Sequence, residues 1–134
     1  MAADPQMGTW KLNEAKSKLA PGTGKITMVV YKSTAGKVTA TVDGIDADGK
    51  PDHNEWTGKF DGKDYPVTGN PTSDARSYTK VNDRTMDFIV KKGGKVTVTG
   101  RIVVAADGKS RTVTTSGTTP KGKKFKNTSV YDKQ

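Results

Sequence analysis

The sequence predicts an all-β protein: one antiparallel up-and-down meander of roughly nine or ten strands closed into a barrel, with one short helix after the first strand. Three observations lead there. Turn signals recur at short, regular spacing; the segments between them alternate apolar and polar residues with period two; and only 31% of the 134 residues are hydrophobic. So little apolar material favours one sheet curled on itself over two layers of helices, and closing the sheet removes its two edges. No apolar run approaches the roughly 18 residues of a membrane span. No shift in composition divides the chain, so residues 1–7 are read as a tail and 8–134 as one barrel domain.

Taken in order, Gly8-Thr9-Trp10-Lys11-Leu12 opens the first strand. The helix is expected over Asn13–Leu19, where Asn13 can cap, Glu14 suits a helix N-terminus, and Ala20-Pro21-Gly22 stops it. In Lys25–Lys32 the spacing groups Ile26, Met28 and Val30 on one face, and in Lys37–Asp43 it groups Val38, Ala40 and Val42. Asn54, Trp56, Gly58 and Phe60 then alternate with His53, Glu55, Thr57 and Lys59. The stretch from Asp64 to Pro71 is a short edge strand or a loop, given Pro66, Gly69, Asn70 and Pro71. Arg76, Tyr78 and Lys80 share a face. So do Met86, Phe88 and Val90, then Val96, Val98, Gly100, Ile102 and Val104. Val113 stands between Thr112 and Thr114, and the last segment sets Phe125, Asn127, Ser129 and Tyr131 on one side. The reversals are marked by Ala35-Gly36, Asp48-Gly49, Asp61-Gly62, Asn82-Asp83, Gly93-Gly94 and Asp107-Gly108, dipeptides suited to the positive φ of tight hairpins.

The opening Gly-x-Trp resembles the lipocalin signature. The form Gly8-Thr9-Trp10-Lys11-Leu12, with Val130-Tyr131-Asp132 at the other end, looks like the fatty-acid-binding proteins of the same calycin superfamily. The chain is also similar to small, exported, functionally uncharacterised bacterial lipocalin-like proteins, through Gly8–Asn13, Ala15–Lys18 and Asp61–Gly69. The resemblance implies that Trp10 plugs the closed end of the barrel beneath a basic side chain from the last strand. It also implies a carboxylate anchor of the form Arg-x-Tyr on that strand. Here the anchor reads Ser129-Val130-Tyr131, so the tyrosine matches, the arginine does not, and Arg111 on the neighbouring strand is the candidate to supply the charge.

The formal net charge is +9, from 23 basic and 14 acidic residues. Only Arg76, Arg84, Arg101 and Arg111 are arginines. Lysines, which act as point charges rather than planar forks, cluster at Lys121, Lys123, Lys124 and Lys126. That pattern suits a non-specific polyanion or an anionic surface and argues against sequence-specific nucleic-acid recognition. There is no cysteine, which excludes disulfides and thiolate chemistry. Met1 followed by Ala2-Ala3-Asp4-Pro5 reads as a mature end left by signal-peptide cleavage, so a periplasmic or secreted location is expected.

Function is read along three lines. The first is a non-enzymatic binding protein, expected as a monomer, that holds a small hydrophobic or amphipathic ligand. Its polar anchors are Arg76, Tyr78, Arg111 and Tyr131, among the convergent polar groups that orient ligands in small barrels. The second is a surface-interaction protein whose Lys121–Lys126 cluster meets an anionic polymer or cell-envelope partner. The third is a small enzyme using His53 and Glu55, two residues apart on one strand face, as an acid–base pair. That face is expected to be the outer one, since Trp56 and Phe60 claim the other. The Asp46–Asp52 run is acidic enough for a calcium loop. It lacks the sixth-position glycine and twelfth-position glutamate, however, and reads as a turn. No catalytic residue, metal site or cofactor is assigned.

Overall fold

The computed structural model describes residues 4–69, 73–119 and 121–134. Ala2, Ala3, Asn70 and Pro71 lie outside the described residues. Ten antiparallel strands follow one another: β1 Gly8–Lys18, β2 Lys25–Thr34, β3 Lys37–Ile45, β4 Pro51–Gly58, β5 Tyr65–Thr68, β6 Ala75–Lys80, β7 Thr85–Lys92, β8 Lys95–Val104, β9 Ser110–Thr118 and β10 Lys124–Lys133. Each pairs with its sequence neighbours, and β10 returns to pair with β1, closing the ring.

The hairpins form where the turn dipeptides stand. Ala35 and Gly36 take φ of 50° and 80°, the double positive-φ geometry of the tightest β-turn, and Gly93 and Gly94 do the same at 57° and 81°. The Asp46–Lys50 segment is a turn as well. Its Asp46 carboxylate accepts the backbone N–H groups of Asp48 and Lys50, which uses the oxygen a cation would need.

Three expectations are corrected. Among the described residues there is no helix: β1 runs through Asn13–Lys18 as strand. Asn13 does make a cap-like bond, its Oδ1 accepting the N–H of Lys16 at 3.2 Å. A seven-residue helix is too short to sustain itself, and β10 offers a ladder instead. The capping turn becomes a wide bulge: Asn13 pairs with Val130, the next pair is Lys18 with Thr128, and the Ser17 hydroxyl accepts the Val130 N–H across the gap.

A second bulge, at Thr27, breaks the expected face of β2. Ile26 pairs with Gly44, whereas Met28 pairs with Asp43. Ile26, Val29 and Tyr31 therefore point into the barrel, and Met28 and Val30 turn outward. A third bulge, at Thr97, pairs Val96 with Lys91 on the outer face, so Val96 leaves the apolar row and is 54% exposed. Strand β5, read as an edge strand or loop, has a partner on each side but only two residue pairs with each.

The antiparallel path gives the barrel two ends. One carries Gly8, Lys133 and the turns after β2, β4, β6 and β8, and it is closed. Trp10 is 0% exposed there, and its indole N–H donates to the Gln6 carbonyl at 3.0 Å. Gln6, also fully buried, donates from Nε2 to the Arg84 carbonyl. Lys80 pairs with Asp4 at 2.9 Å. Residues 4–7 thus form a floor across strands from both halves of the ring. Met86, Ile102 and Val104 pack at the same depth with at most 2% exposure.

Removing the Trp10 side chain should open a cavity at the β1–β10 seam and cost about 3–5 kcal/mol. A urea melt of Trp10→Ala is expected to show a strongly lowered midpoint; an unchanged midpoint would mean the floor does not rest on this ring.

Candidate binding site inside the barrel

Strand alternation carries Arg76 and Tyr78 on β6, Arg111 on β9 and Tyr131 on β10 into the interior, where all four are buried. Tyr131 and Arg111 are a direct cross-strand pair. The Arg111 guanidinium sits over three rings: Tyr131 at 4.8 Å, Tyr31 at 5.3 Å and Trp10 at 5.3 Å from the centroids. It also donates from Nη1 to the Tyr31 hydroxyl at 3.1 Å. Lys133 lies 5.1 Å from the Trp10 centroid, so two cations use that indole.

Nearer the other end, Arg76 donates from Nη1 to Asn54 Oδ1 at 3.2 Å and lies 5.5 Å from the Tyr78 ring centroid. Its backbone carbonyl accepts the Trp56 indole N–H at 2.8 Å. Tyr78 links the two arginines. Its ring packs edge-on against Tyr31 at 6.1 Å and Trp56 at 4.7 Å, and it also meets Phe60 at 5.4 Å. Polar groups and rings thus run from Arg76 through Tyr78 and Tyr31 to Arg111.

The electrostatics are unusual. Arg76 and Arg111 are 7% and 3% exposed. Neither has a carboxylate within ion-pair distance among the described residues. Nε of both, and Nη2 of Arg76, are buried without a hydrogen-bond partner. A guanidinium stays charged at any ordinary pH, so the cost of burial falls on the fold, offset here only by ring faces and single hydrogen bonds. Burial pushes the Tyr131 hydroxyl up to about 12, against the opposing pull of Arg111. Burial likewise drives Tyr78 far above the usual phenol range, with Arg76 and Arg111 pulling the other way. Both phenols are therefore neutral and leave the arginines' charge uncompensated.

Phe88, Val98, Gly100, Thr115 and Ser129 fall on the inward face from β7 to β10 and are half-buried, less covered than the residues at the floor. Gly100 has no room for a side chain because the Phe88 ring lies against it. Two shallow concavities lie outside this wall. One of about 380 Å³ includes Ile89, Arg101, Ser116 and Lys126, and one of about 310 Å³ includes Val96, Thr118, Lys124 and Phe125.

Other candidates fall elsewhere. His53 is on the outer face with a 53% exposed side chain, its Nδ1 2.5 Å from Asp43 Oδ1 and its Nε2 3.5 Å from Glu55 Oε1. Among the described residues no group of three potential ligands could hold a metal ion. Lys80 is taken up by Asp4. Lys121, Lys123, Lys124 and Lys126 are exposed at the end away from the floor. Sequence reasoning set Asn54 and Trp56 on the inner face without naming them beside the anchors, and it missed Tyr31. The bulge at Thr27 hid Tyr31, and the nearest local signal was Gly44 within β3, where any Cβ would strike the Lys25 carbonyl.

No family model and no curated protein matches the chain. Among solved structures, a redesigned β barrel, mFAP1, bound to DFHBI, aligns with a TM-score of 0.48 and 16% identity over 98% of this chain and all of that one.

The buried phenols set an alkaline limit on stability. Because folding raises their pKa, their contribution is complete below the unfolded value near 10 and is lost as pH rises toward and past 12. The urea midpoint should fall over that window, and phenolate absorbance of Tyr78 and Tyr131 should appear only with unfolding. On the outer face, the hydrogen bond to Asp43, then that to Glu55, raises the His53 pKa above 6.5. Its imidazole NMR titration should show a raised midpoint that Asp43→Asn lowers.

Proposed function

We propose that the protein is a non-enzymatic binding protein that takes a small, partly apolar molecule with an acidic group into its barrel. The observation that carries this reading is the pair of buried arginines, Arg76 and Arg111, with unbonded N–H groups and no carboxylate within ion-pair distance among the described residues. Ring contacts and single hydrogen bonds recover only part of the cost of burying such charges, and an apolar residue of similar volume would serve the core as well or better. The arginines make sense as one half of an ion pair whose other half arrives with a ligand. Asn54, Tyr31 and Tyr78 supply further hydrogen-bonding groups beside them, while the Tyr131 hydroxyl donates to the Ile26 carbonyl at 2.9 Å, and Phe60, Phe88 and Trp56 supply apolar surface for the rest of the molecule. Arg111, directly paired with Tyr131, stands where it can supply the charge that the last strand lacks. The lipocalin-like reading of Gly8-Thr9-Trp10 agrees with this role and adds no ligand of its own.

The test compares a medium-chain carboxylate with its methyl ester, read by tryptophan fluorescence and calorimetry. The acid should bind and the ester should bind more weakly. Losing the charge-assisted bonds in Arg111→Met or Arg76→Met should weaken the acid about ten- to a hundredfold. The same variants should keep or raise the urea midpoint without ligand, because each removes a buried, uncompensated charge. Equal binding of acid and ester, or unaltered affinity in both variants, would overturn the reading.

A further inference from the structure

We propose that the outer wall near the end opposite the floor, where β8 and β10 begin, is a docking surface for a membrane rich in anionic lipid. The surface is built from two segments with β9 between them. The β7–β8 hairpin brings Lys92, Lys95 and Val96, and the start of β10 brings Lys124 and Lys126 on its outward face. Val96, Thr118 and Lys124 line one open concavity of about 310 Å³.

Its chemistry has two parts. Lys92, Lys95, Lys121, Lys123, Lys124 and Lys126 are exposed and have no acidic partner within ion-pair distance among the described residues. Two basic groups of the same wall are neutralised, Lys91 opposite Val96 by Asp64 and Arg101 by Asp87. The six free lysines around Val96 concentrate positive potential of the +9 chain here. The second part is apolar. At 54%, Val96 is the most exposed of the large hydrophobic residues among those described, turned outward by the bulge at Thr97. An apolar residue ringed by lysines matches a bilayer surface, where the side chain enters the headgroup region and the ammonium groups meet lipid phosphates.

A polyanion in water fits less well. It would leave Val96 solvated, and no arginine stands in the cluster to fork onto a phosphate. Arg76 and Arg111 are inside the barrel, Arg101 is held by Asp87, and Arg84 is at the floor. The hairpin tip is held in place from the approach to β6, the Gly93 N–H donating to Asp74 Oδ2 at 2.9 Å. The docking surface rests on no assumption about what the interior binds.

The test uses the intact chain without added ligand. Co-sedimentation is measured with vesicles of phosphatidylcholine alone and with vesicles containing phosphatidylglycerol. Binding should require the anionic lipid and should weaken steeply as salt is raised. Lys124→Glu/Lys126→Glu should reduce partitioning about tenfold or more, whereas Lys37→Glu at the far end should not. Val96→Ser should also reduce it, and a Val96→Trp variant should be quenched by brominated acyl chains. Urea melts of these surface variants keep folding defects apart from docking defects. Absence of binding to anionic vesicles would overturn the proposal. So would equal retention on heparin or DNA with no effect of Val96→Ser, which would mark a polyanion surface instead.

Discussion

Closure of the ring between β1 and β10 is the constraint on which everything else rests. A ten-strand meander that failed to close would expose two edges and split its only core. Trp10 secures that closure. Its ring is wholly buried at the seam, its N–H is bonded to the Gln6 carbonyl, and Lys133 of β10 lies near its face. Because Arg111 contacts the same indole, the seam and the interior polar cluster share a side chain. The floor of the barrel is at once the joint that closes the fold and the base of the candidate site.

That sharing explains a mixed interior in a chain with little apolar material. The floor is packed dry with Trp10, Met86, Ile102 and Val104. Above it the wall carries rings interleaved with two guanidinium groups and neutral phenols. A core designed only for stability would place aliphatic residues there. The cost of the buried charges is tolerated because cation–ring contacts recover part of it and the closed ladder holds the strands in place.

Much of this was legible in the sequence, because period-two alternation and turn chemistry are local properties. Val38, Ala40 and Val42, and likewise Asn54 and Trp56, fall on the inner face that the alternation marks. What was not legible depends on register between strands. Ile26-Thr27-Met28-Val29-Val30-Tyr31 is apolar on both faces, so only pairing with β3 decides which side is inner, and one extra residue at Thr27 reverses the choice. The same holds for Val96. Asn13–Leu19 misled for a different reason: the cap signal was real and formed locally, but a neighbouring strand outcompeted the helix it would start. Arg76 could have faced either way, since a basic residue in an alternating strand looks the same whether it is solvated or buried.

The ring is not equally strong around its circumference. β5 spans four residues and shares only two pairs with each neighbour, so the stretch between β4 and β6 depends heavily on the Trp56 indole bonded to the Arg76 carbonyl. Thermal openings start where few ladder bonds must break together. Amide protons of β5 would then exchange with solvent well before those of the β1–β10 seam. Such a partial opening would bring water to Arg76 while the floor at Trp10 stayed shut.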